Sequence, residues 1–531
     1  MAGERESGEP TPDFGERYDA VIVGAGIGGL ACGALLAAEG LDVLVAERHD
    51  RPGGFVTDYE RKGYRFQVPH LVGGCGPGGY LTRVMDHLGI TMEFKRVDPY
   101  VRFVYPEHDI SVPSDAEEFK QLLKENFQPQ TDNINHFFSV AARLYKAMDV
   151  RMLRKPRGAA STLKAATYPL VYPRMVSLAA RGRTLQQVLD SYFTEDRMKA
   201  VLATMWPFLG APPWEVSALS MIGMMKSFSE GAYIPSGGYG ALADAFAKAF
   251  TDRGGKLLLG HEATAINAEG GVVCGVELQP RTKIETSVVV SDADSRRTFL
   301  SLADRQRLPH AFLGRVEEGP VSISGFTIHL GMAKTIEDPG FANGPVLVQP
   351  SYDHRSMYEA VRAAGDYPDP ERISWGVTVH SAMDPTLAPE GKSCLDIVVP
   401  GVPYGFMERW GIEGGVRGDR YRAIKEKYAE AVVEAVSGRF PDLIGNVEAY
   451  DISTPVTFER YTMATDGCWY DTAPVPAWTL ARRPGPRTPM RGLFVTGSKS
   501  VFGGGIYASV VSGLLAADSV LKGGLGDLFN D

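Results

Sequence analysis

Asp19-Ala-Val-Ile-Val23, Gly24-Ala-Gly26-Ile-Gly28-Gly29, Leu30 through Glu39, Gly40, and then Asp42-Val-Leu-Val-Ala46-Glu47 form one continuous strand–turn–helix–strand pattern. The first run is short, apolar and of strand type. The glycines open a helical pattern that Gly40 stops, and a second apolar strand ends in an acid. Each glycine has a physical task. Gly24 permits the tight turn, Gly26 lets backbone N–H groups approach a pyrophosphate, and Gly29 allows close helix–strand contact. The helix N-terminus, at Ile27 and Gly28, offers partial positive charge to that phosphate. Glu47 lies where an acid accepts hydrogen bonds from ribose hydroxyls and disfavours a 2′-phosphate. A dinucleotide-binding βαβ unit is therefore expected. Gly74-Cys-Gly76-Pro-Gly78-Gly79 repeats the glycine spacing without a surrounding βαβ unit, and is expected to be a flexible loop.

The rest of the chain bounds the class of molecule. Of 531 residues, 44% are hydrophobic and 22% charged, with mean hydropathy -0.11, enough apolar material for a core in two to four domains. A net charge of -9 argues against nucleic acid as partner, because that affinity rests on phosphate neutralisation. Five cysteines stand far apart with no C-x-x-C pair, which argues against a disulfide scaffold, a structural zinc site or a dithiol oxidoreductase, and no metal site is expected. Residues 1–17 read as a solvated acidic tail rather than a secretory signal. The apolar stretch from Ala20 to Val45 contains six glycines, with Glu39 and Asp42 inside it, and so reads as buried strand and helix rather than a membrane span. A soluble, reduced, cytoplasmic protein is expected.

Arg51-Pro-Gly53-Gly54-Phe55 follows Glu47-Arg48, and then comes Gly63-Tyr64-Arg65-Phe66-Gln67-Val68-Pro69-His70. On these residues the chain resembles the flavin-dependent amine oxidase and phytoene desaturase superfamily, and within it the carotenoid desaturases, carotenoid cis-trans isomerases and retinol saturases. In that superfamily an acid followed by a Gly-Gly turn completes an FAD pyrophosphate site. The resemblance thus implies FAD as cofactor, with Gly24, Gly26, Ile27, Gly28, Gly29, Glu47, Arg48, Gly53, Gly54 and Phe55 around it. Phe55 stands where desaturases often carry Arg, and Gln67 and Pro69 replace the usual Asp and Gly, so the chemistry beside the flavin ring is open to difference.

Two further blocks carry the resemblance. Gly231-Ala-Tyr233-Ile-Pro235-Ser-Gly237-Gly238-Tyr239-Gly240 runs into an amphipathic helix through Leu242, Phe246 and Phe250. Apolar runs at 257–259, 263–266, 272–278 and 287–290 follow, and propensity alone reads them as antiparallel strands. The resemblance returns this unit to the nucleotide domain, with Ala263 near the adenine. Arg491-Gly492-Leu493-Phe494-Val495-Thr496-Gly497-Ser498 then reads as a strand, and Gly503-Gly504-Gly505-Ile506 opens a final helix. Donors before that helix would face the flavin's N1–C2=O edge. Ser498 stands where relatives carry an acid, which puts a ribityl contact in question.

The resulting expectation is an α/β protein. A discontinuous Rossmann-type FAD/NAD(P)-binding domain (18–100, 231–299 and 481–531) would carry an α+β substrate-binding domain with an antiparallel sheet (101–230 and 300–480). No second dinucleotide fingerprint is present. The expected reaction is FAD-dependent desaturation of a long apolar isoprenoid or polyene. Alternatives are flavin-dependent cis–trans isomerisation or saturation, amine oxidation, and a redox-inactive prenyl-binding escort of the Rab GDP-dissociation type. Met205, Trp206, Phe208, Leu209, Trp214, Met221, Met224, Met225 and Phe228 line a substrate tunnel or simply form core. His70 is the best-placed acid–base candidate. Tyr233 and Tyr507 could orient substrate or merely pack, and Lys499 is a further polar group near the expected flavin edge. Eight bases and no acid in 151–183, interleaved with apolar residues, suit either an anionic membrane surface or a solvated basic face.

Overall fold

The computed structural model describes residues 16–148, 182–280, 282–413, 416–479, 483–501 and 503–529. The expected acidic tail and the basic 151–183 segment fall almost wholly outside these residues. Five parallel strands form the first sheet, in the order Lys256–Leu258, Val43–Ala46, Ala20–Val23, Val289–Ser291, Leu493–Val495. All but the first of these read as nearly continuous Val, Leu, Ile and Ala because both faces of a parallel sheet are covered. Helix Ile27–Ala38 packs against it and is buried on eleven of its twelve residues, which explains why its sequence is apolar all round. It lies between helices Tyr239–Thr251 and Ile506–Val520, and together they form one core. The closeness depends on glycine: a Cβ at Gly28 would stand 2.9 Å from the Gly497 backbone nitrogen, and one at Gly513 would stand 2.6 Å from the Gly28 carbonyl.

The four apolar runs after residue 255 were expected to be antiparallel strands, and the structure divides them. Lys256–Leu258 and Val289–Ser291 join the parallel sheet, and only Glu262–Glu269, Val272–Gln279 and Thr282–Glu285 form an antiparallel sheet. Short apolar runs carry no signal of strand direction, which is set by the partner. The Gly74–Gly79 stretch is also not a loose loop. It is a tight turn between strand Val72–Gly73 and helix Tyr80–His87, where a Cβ on Gly79 would stand 2.1 Å from the Gly74 carbonyl.

A seven-stranded sheet forms the second body, ordered Val447–Ser453, Gly325–Met332, Ser393–Pro400, Trp375–Val379, Val346–Val348, Val101–Val104, Asp109–Val112. Its pairs are antiparallel except for Val346–Val348 against Val101–Val104. One face packs on helices His354–Ala363 and Asp419–Arg439 through Phe326, Ile328, Val377, Ile397, Val399 and Tyr428. The other face looks back toward the parallel sheet. Side chains alternate along a strand, so this second face collects Thr327, His329, Gly376, Thr378, Asp396 and Val398. Among the described residues no helix is long and apolar enough to cross a membrane.

Candidate functional site

One cavity of about 370 Å³ runs from the glycine turn of the parallel sheet to the inner face of the seven-stranded sheet. Its first end is lined by Gly24, Gly26, Ile27, Gly28, Glu47, Arg48, Gly53, Gly54, Phe55, Ala263, Gly497, Ser498, Gly505 and Ile506. Three sequence blocks hundreds of residues apart therefore meet around one space. Of the residues expected to hold the cofactor, Gly29 alone lies behind the wall, where a Cβ would stand 2.4 Å from the Gly24 carbonyl. That is the close helix–strand contact its position calls for.

The first end is built for an anion beside a sugar. Helices Ile27–Ala38 and Ile506–Val520 both begin at glycine, with no side-chain cap and no acid in the first turn. Both helix N-termini meet the cavity, where they favour negative charge, although the Gly29 N–H is already taken by Asp292. Glu47 accepts hydrogen bonds from Ala25 N (2.8 Å) and His49 N (2.8 Å), which fixes its carboxylate at the strand end. Arg48 and Arg297 both pair with Glu262, forming a charged rim beside Ala263. Behind the glycines stands a cluster that sequence reading missed. Asp292 Oδ2 accepts from Gly29 N at 3.1 Å, and Oδ1 lies 4.0 Å from Lys499 Nζ. Burial pushes the Asp292 carboxyl up to about 6, against the opposing pull of Lys499 and the Gly29 amide. Burial likewise lowers the Lys499 ammonium, which donates to the Thr496 carbonyl. Lys499 thus supports the turn and does not line the cavity. Arg483, with its guanidinium lowered to about 10 by burial, ties the same turn together through the Ser498, Ser500 and Thr472 carbonyls.

The second end is polar on one row of the sheet. Thr378 and His329 both pair in register with Asp396. His329 Nδ1 lies 2.7 Å from Asp396 Oδ1, and His380 Nε2 lies 2.9 Å from Oδ2. Asp396 is fully buried. Burial alone would raise its carboxyl, but His329 and His380 overcome that and hold it well below the ordinary carboxylate range. His70 packs over His380 with ring centroids 5.3 Å apart, and its Nδ1 lies 2.9 Å from Thr378 Oγ1. The ring faces the cavity, and burial with His380 beside it lowers the imidazole to about 3, so it is neutral. The ligand-type atoms of His70, His380 and Asp396 lie within 4.8 Å of one another. Both Asp396 oxygens are already engaged by imidazoles, so the arrangement is satisfied without an ion.

Tyr233 and Tyr507 are not on the cavity wall. Tyr233 OH reaches the Glu230 carbonyl (3.4 Å), and the Tyr507 ring lies against Gly74, where a Cβ would stand 2.1 Å from it. Of the Met and aromatic stripe, Phe208 reaches the cavity, whereas Met205, Trp206, Met221 and Phe228 are buried in a helical core beneath Tyr100 and Phe103. These buried side chains join one cluster with Phe119, Phe137, Leu189 and Phe193 instead of lining the site.

A model of the NAD(P)-binding Rossmann-like domain matches residues 22–88. The whole chain is similar to the 4,4′-diapophytoene desaturase (4,4′-diapolycopene-forming) of Methylomonas sp, at 25% identity over 83% of this chain and 82% of that protein. It is also similar to the all-trans-retinol 13,14-reductase of Danio rerio, at 26% identity over 95% of this chain and 86% of the relative. The chain is a relative of the phytoene desaturase group of FAD-dependent oxidoreductases. Its fold matches that of an oxidoreductase from Methanosarcina mazei with TM-score 0.63 and 19% identity, over 95% and 99% of the two chains. FAD fits the first end of the cavity. Two helix N-termini that begin at glycine face it, and the Glu47 carboxylate is fixed at the strand end.

Proposed function

We propose that the protein dehydrogenates a long, apolar, unsaturated isoprenoid chain, with Gly24, Gly26, Ile27, Gly28, Glu47, Arg48, Gly53, Gly54, Phe55, Ala263, Gly497, Ser498, Gly505 and Ile506 around FAD and His70 as the proton acceptor. One observation carries this reading: the cofactor end opens without interruption onto a floor of Leu347, Gly376, Val398 and Pro400, walled by Leu71, Phe208, Phe458 and Trp469. Such a surface holds a hydrocarbon by burial, at about 25 cal/mol per Å² of apolar area. Bound FAD would supply the two-electron acceptor that takes one hydrogen of the substrate as hydride. The neighbouring carbon must then lose a proton, and the chain has to provide the base. With Nδ1–H donating to Thr378 Oγ1, His70 keeps the Nε2 lone pair free for it. A weakly basic imidazole suffices, because a C–H beside a developing carbocation is strongly acidic. Thr378 fixes the ring, and the apolar wall excludes the water that would otherwise capture the cation.

The same neutral imidazole, once protonated, is a strong acid, which suits the reverse addition of a proton in saturation or isomerisation. Desaturation is preferred because the base is neutral as found. A substrate of this class dissolves in bilayers, so peripheral association with a membrane is part of the reading, and flotation with anionic liposomes at low salt tests it. The decisive experiment mixes the flavin-loaded protein anaerobically with partly saturated polyenes and with amines while flavin absorbance is followed. Bleaching by the polyene is expected. Bleaching by amines alone would overturn the reading.

A further inference from the structure

Beyond the His70 row, the sheet floor continues for two more rows. Leu347, Gly376, Val398 and Thr327 lie in register across four strands and form an almost wholly apolar middle row. Two residues further along each strand come Pro400 and Ser374, with Gln349 just past the Val348–Trp375 pair, so that Gln349 faces Ser374 across the strands. Four residues separate this last row from Thr378 and Asp396, a distance of roughly 13 Å at about 3.3 Å per residue.

Gln349 is 4% exposed and lines the cavity, yet its Oε1 has no hydrogen-bond partner among the described residues. A buried amide left unpaired costs stability. A methionine of the same length would fill this place without that cost. Ser374, also buried, brings a hydroxyl to the same end. No charged side chain among the described lining residues stands in the middle or last row. The acids and bases of the wall are Glu47, Arg48, Glu262, Asp292, Asp294, Arg297 and Asp471, which belong to the cofactor end and its rim, and the histidines belong to the first row. An ammonium or carboxylate at the last row would therefore be buried without a counter-charge, whereas a neutral hydroxyl would find an acceptor in Gln349 and a second partner in Ser374.

We propose that Gln349 and Ser374 form a seat for the hydroxyl of an elongated substrate, so that the isoprenoid bound here is an alcohol rather than a bare hydrocarbon, held with its oxygen about four strand residues from the His70 row. This rests on the reading of the cavity as a polyene site and narrows its substrate class. The unpaired amide is explained as a recognition group whose partner arrives with the ligand. Such a group rejects the analogue lacking the hydroxyl, because the analogue leaves it unpaired.

The test uses the flavin-loaded protein and three cyclodextrin-delivered ligands: a linear polyene primary alcohol, its deoxy hydrocarbon of the same length, and the matching primary amine. Binding is followed by quenching of tryptophan emission, since Trp375 and Trp469 line the cavity. The alcohol is expected to bind about tenfold more tightly than the hydrocarbon. Gln349→Met should erase that preference while leaving hydrocarbon affinity intact, and without ligand it should melt at or above the wild-type temperature. Ser374→Ala should weaken alcohol binding alone, by a smaller factor. Equal affinity of wild type for alcohol and hydrocarbon, or preference for the amine, would overturn the hydroxyl seat while leaving the polyene site standing. A ligand-free Gln349→Met protein that melts well below wild type would show a structural amide and overturn the seat as well. Failure of both polyenes to bind would overturn the site reading itself, and the seat with it.

Discussion

The parallel sheet at one end of the cavity presents backbone, and the seven-stranded sheet at the other presents side chains. At the cofactor end the glycines Gly24, Gly26, Gly28, Gly53, Gly54, Gly497 and Gly505 bring backbone and two helix N-termini to the wall, with charged side chains such as Glu47 and Arg48 at its rim. At the other end the backbone is consumed by the strand ladder, and recognition falls to His70, Thr378, His329 and Gln349. The first arrangement tolerates no added atom, because its specificity is the space itself. The second tolerates isosteric change but not loss of a hydrogen-bond partner, because Asp396 is buried between two imidazoles that both bond to it.

The largest effect that could break this contrast is a single methyl group. Gly26→Ala places a Cβ 2.3 Å from Asp292 Oδ2, so the glycine turn and the first turn of helix Ile27–Ala38 must shift, and the protein should purify without flavin. Gly314→Ala is the matched control. Its Cβ meets nothing within 4 Å in helix His310–Glu318, so flavin should be fully retained, with a gain of roughly 0.5–1 kcal/mol in stability. A yellow Gly26→Ala protein would show that backbone crowding does not define that end.

Next in size is the proton acceptor. His70→Asn keeps a partner for Thr378 and removes the imidazole, and the rate of flavin reduction by substrate should fall on the order of 10²–10⁴-fold with flavin content unchanged. A loss of flavin together with rate would mean that His70 supports the fold rather than the chemistry.

How far each end was legible follows from the same contrast. Much of the cofactor end is written within some thirty residues, from Gly24 to Gly54, because a helix and the strands flanking it are close in sequence, while Ala263 and the Gly497–Ile506 block were placed there by family resemblance. Even there Asp292 was missed, since its contact with Gly29 spans 263 positions. The side-chain end is assembled by register. His329, Asp396 and Thr378 sit on three different strands, and nothing local aligns them. A signal did exist. Asp396 is a lone acid inside Ser393-Cys-Leu-Asp-Ile-Val-Val-Pro400, and an acid in a fully buried strand must have partners. His70 stood out through family resemblance, whereas Tyr233 and Tyr507 were chosen for nearness in sequence to glycine turns, which says nothing about which way a ring points.

The third expected effect concerns that buried carboxylate. Asp396→Leu leaves the His329 and His380 ring nitrogens without their shared hydrogen-bond partner, and each buried polar group left unsatisfied costs about 1–3 kcal/mol, read as a lowered melting temperature. The His70 contribution to the acid dependence of stability has a defined sign. In the folded chain His70 is held at about 3, whereas an unfolded imidazole takes a proton near 6.5. Between those values the unfolded state binds more protons, so stability falls as pH is lowered through that window. Asp396, held low when folded, adds a loss that sets in as pH falls below the unfolded carboxylate range near 3.9. Asp292, raised to about 6 when folded, contributes in the opposite sense between about 6 and the unfolded carboxylate range near 3.9. The His70 share is therefore read as a difference: from pH 7 to pH 4 His70→Asn should lose less melting temperature than wild type. Parallel curves would place the acid-sensitive group elsewhere.

The smallest expected effect sharpens the comparison most, because it concerns a buried carboxylate set among the backbone donors of the first helix turn. Asp292 accepts from Gly29 N within the first turn of helix Ile27–Ala38, so a carboxylate already occupies part of the field that would serve a phosphate. Two anions at one helix terminus repel each other, and Lys499 at 4.0 Å offsets this only in part. Since burial moves the Asp292 carboxyl up to about 6, it is ionised above that pH and neutral below it. FAD affinity of the apoprotein should therefore weaken as pH rises through about 6. Asp292→Asn keeps the shape and removes the charge, so it should bind FAD a few-fold more tightly at pH 8 and lose the pH dependence. Weaker binding by the Asn variant at every pH would instead mean that the carboxylate is needed as an acceptor, and that this end too relies on a charged side chain.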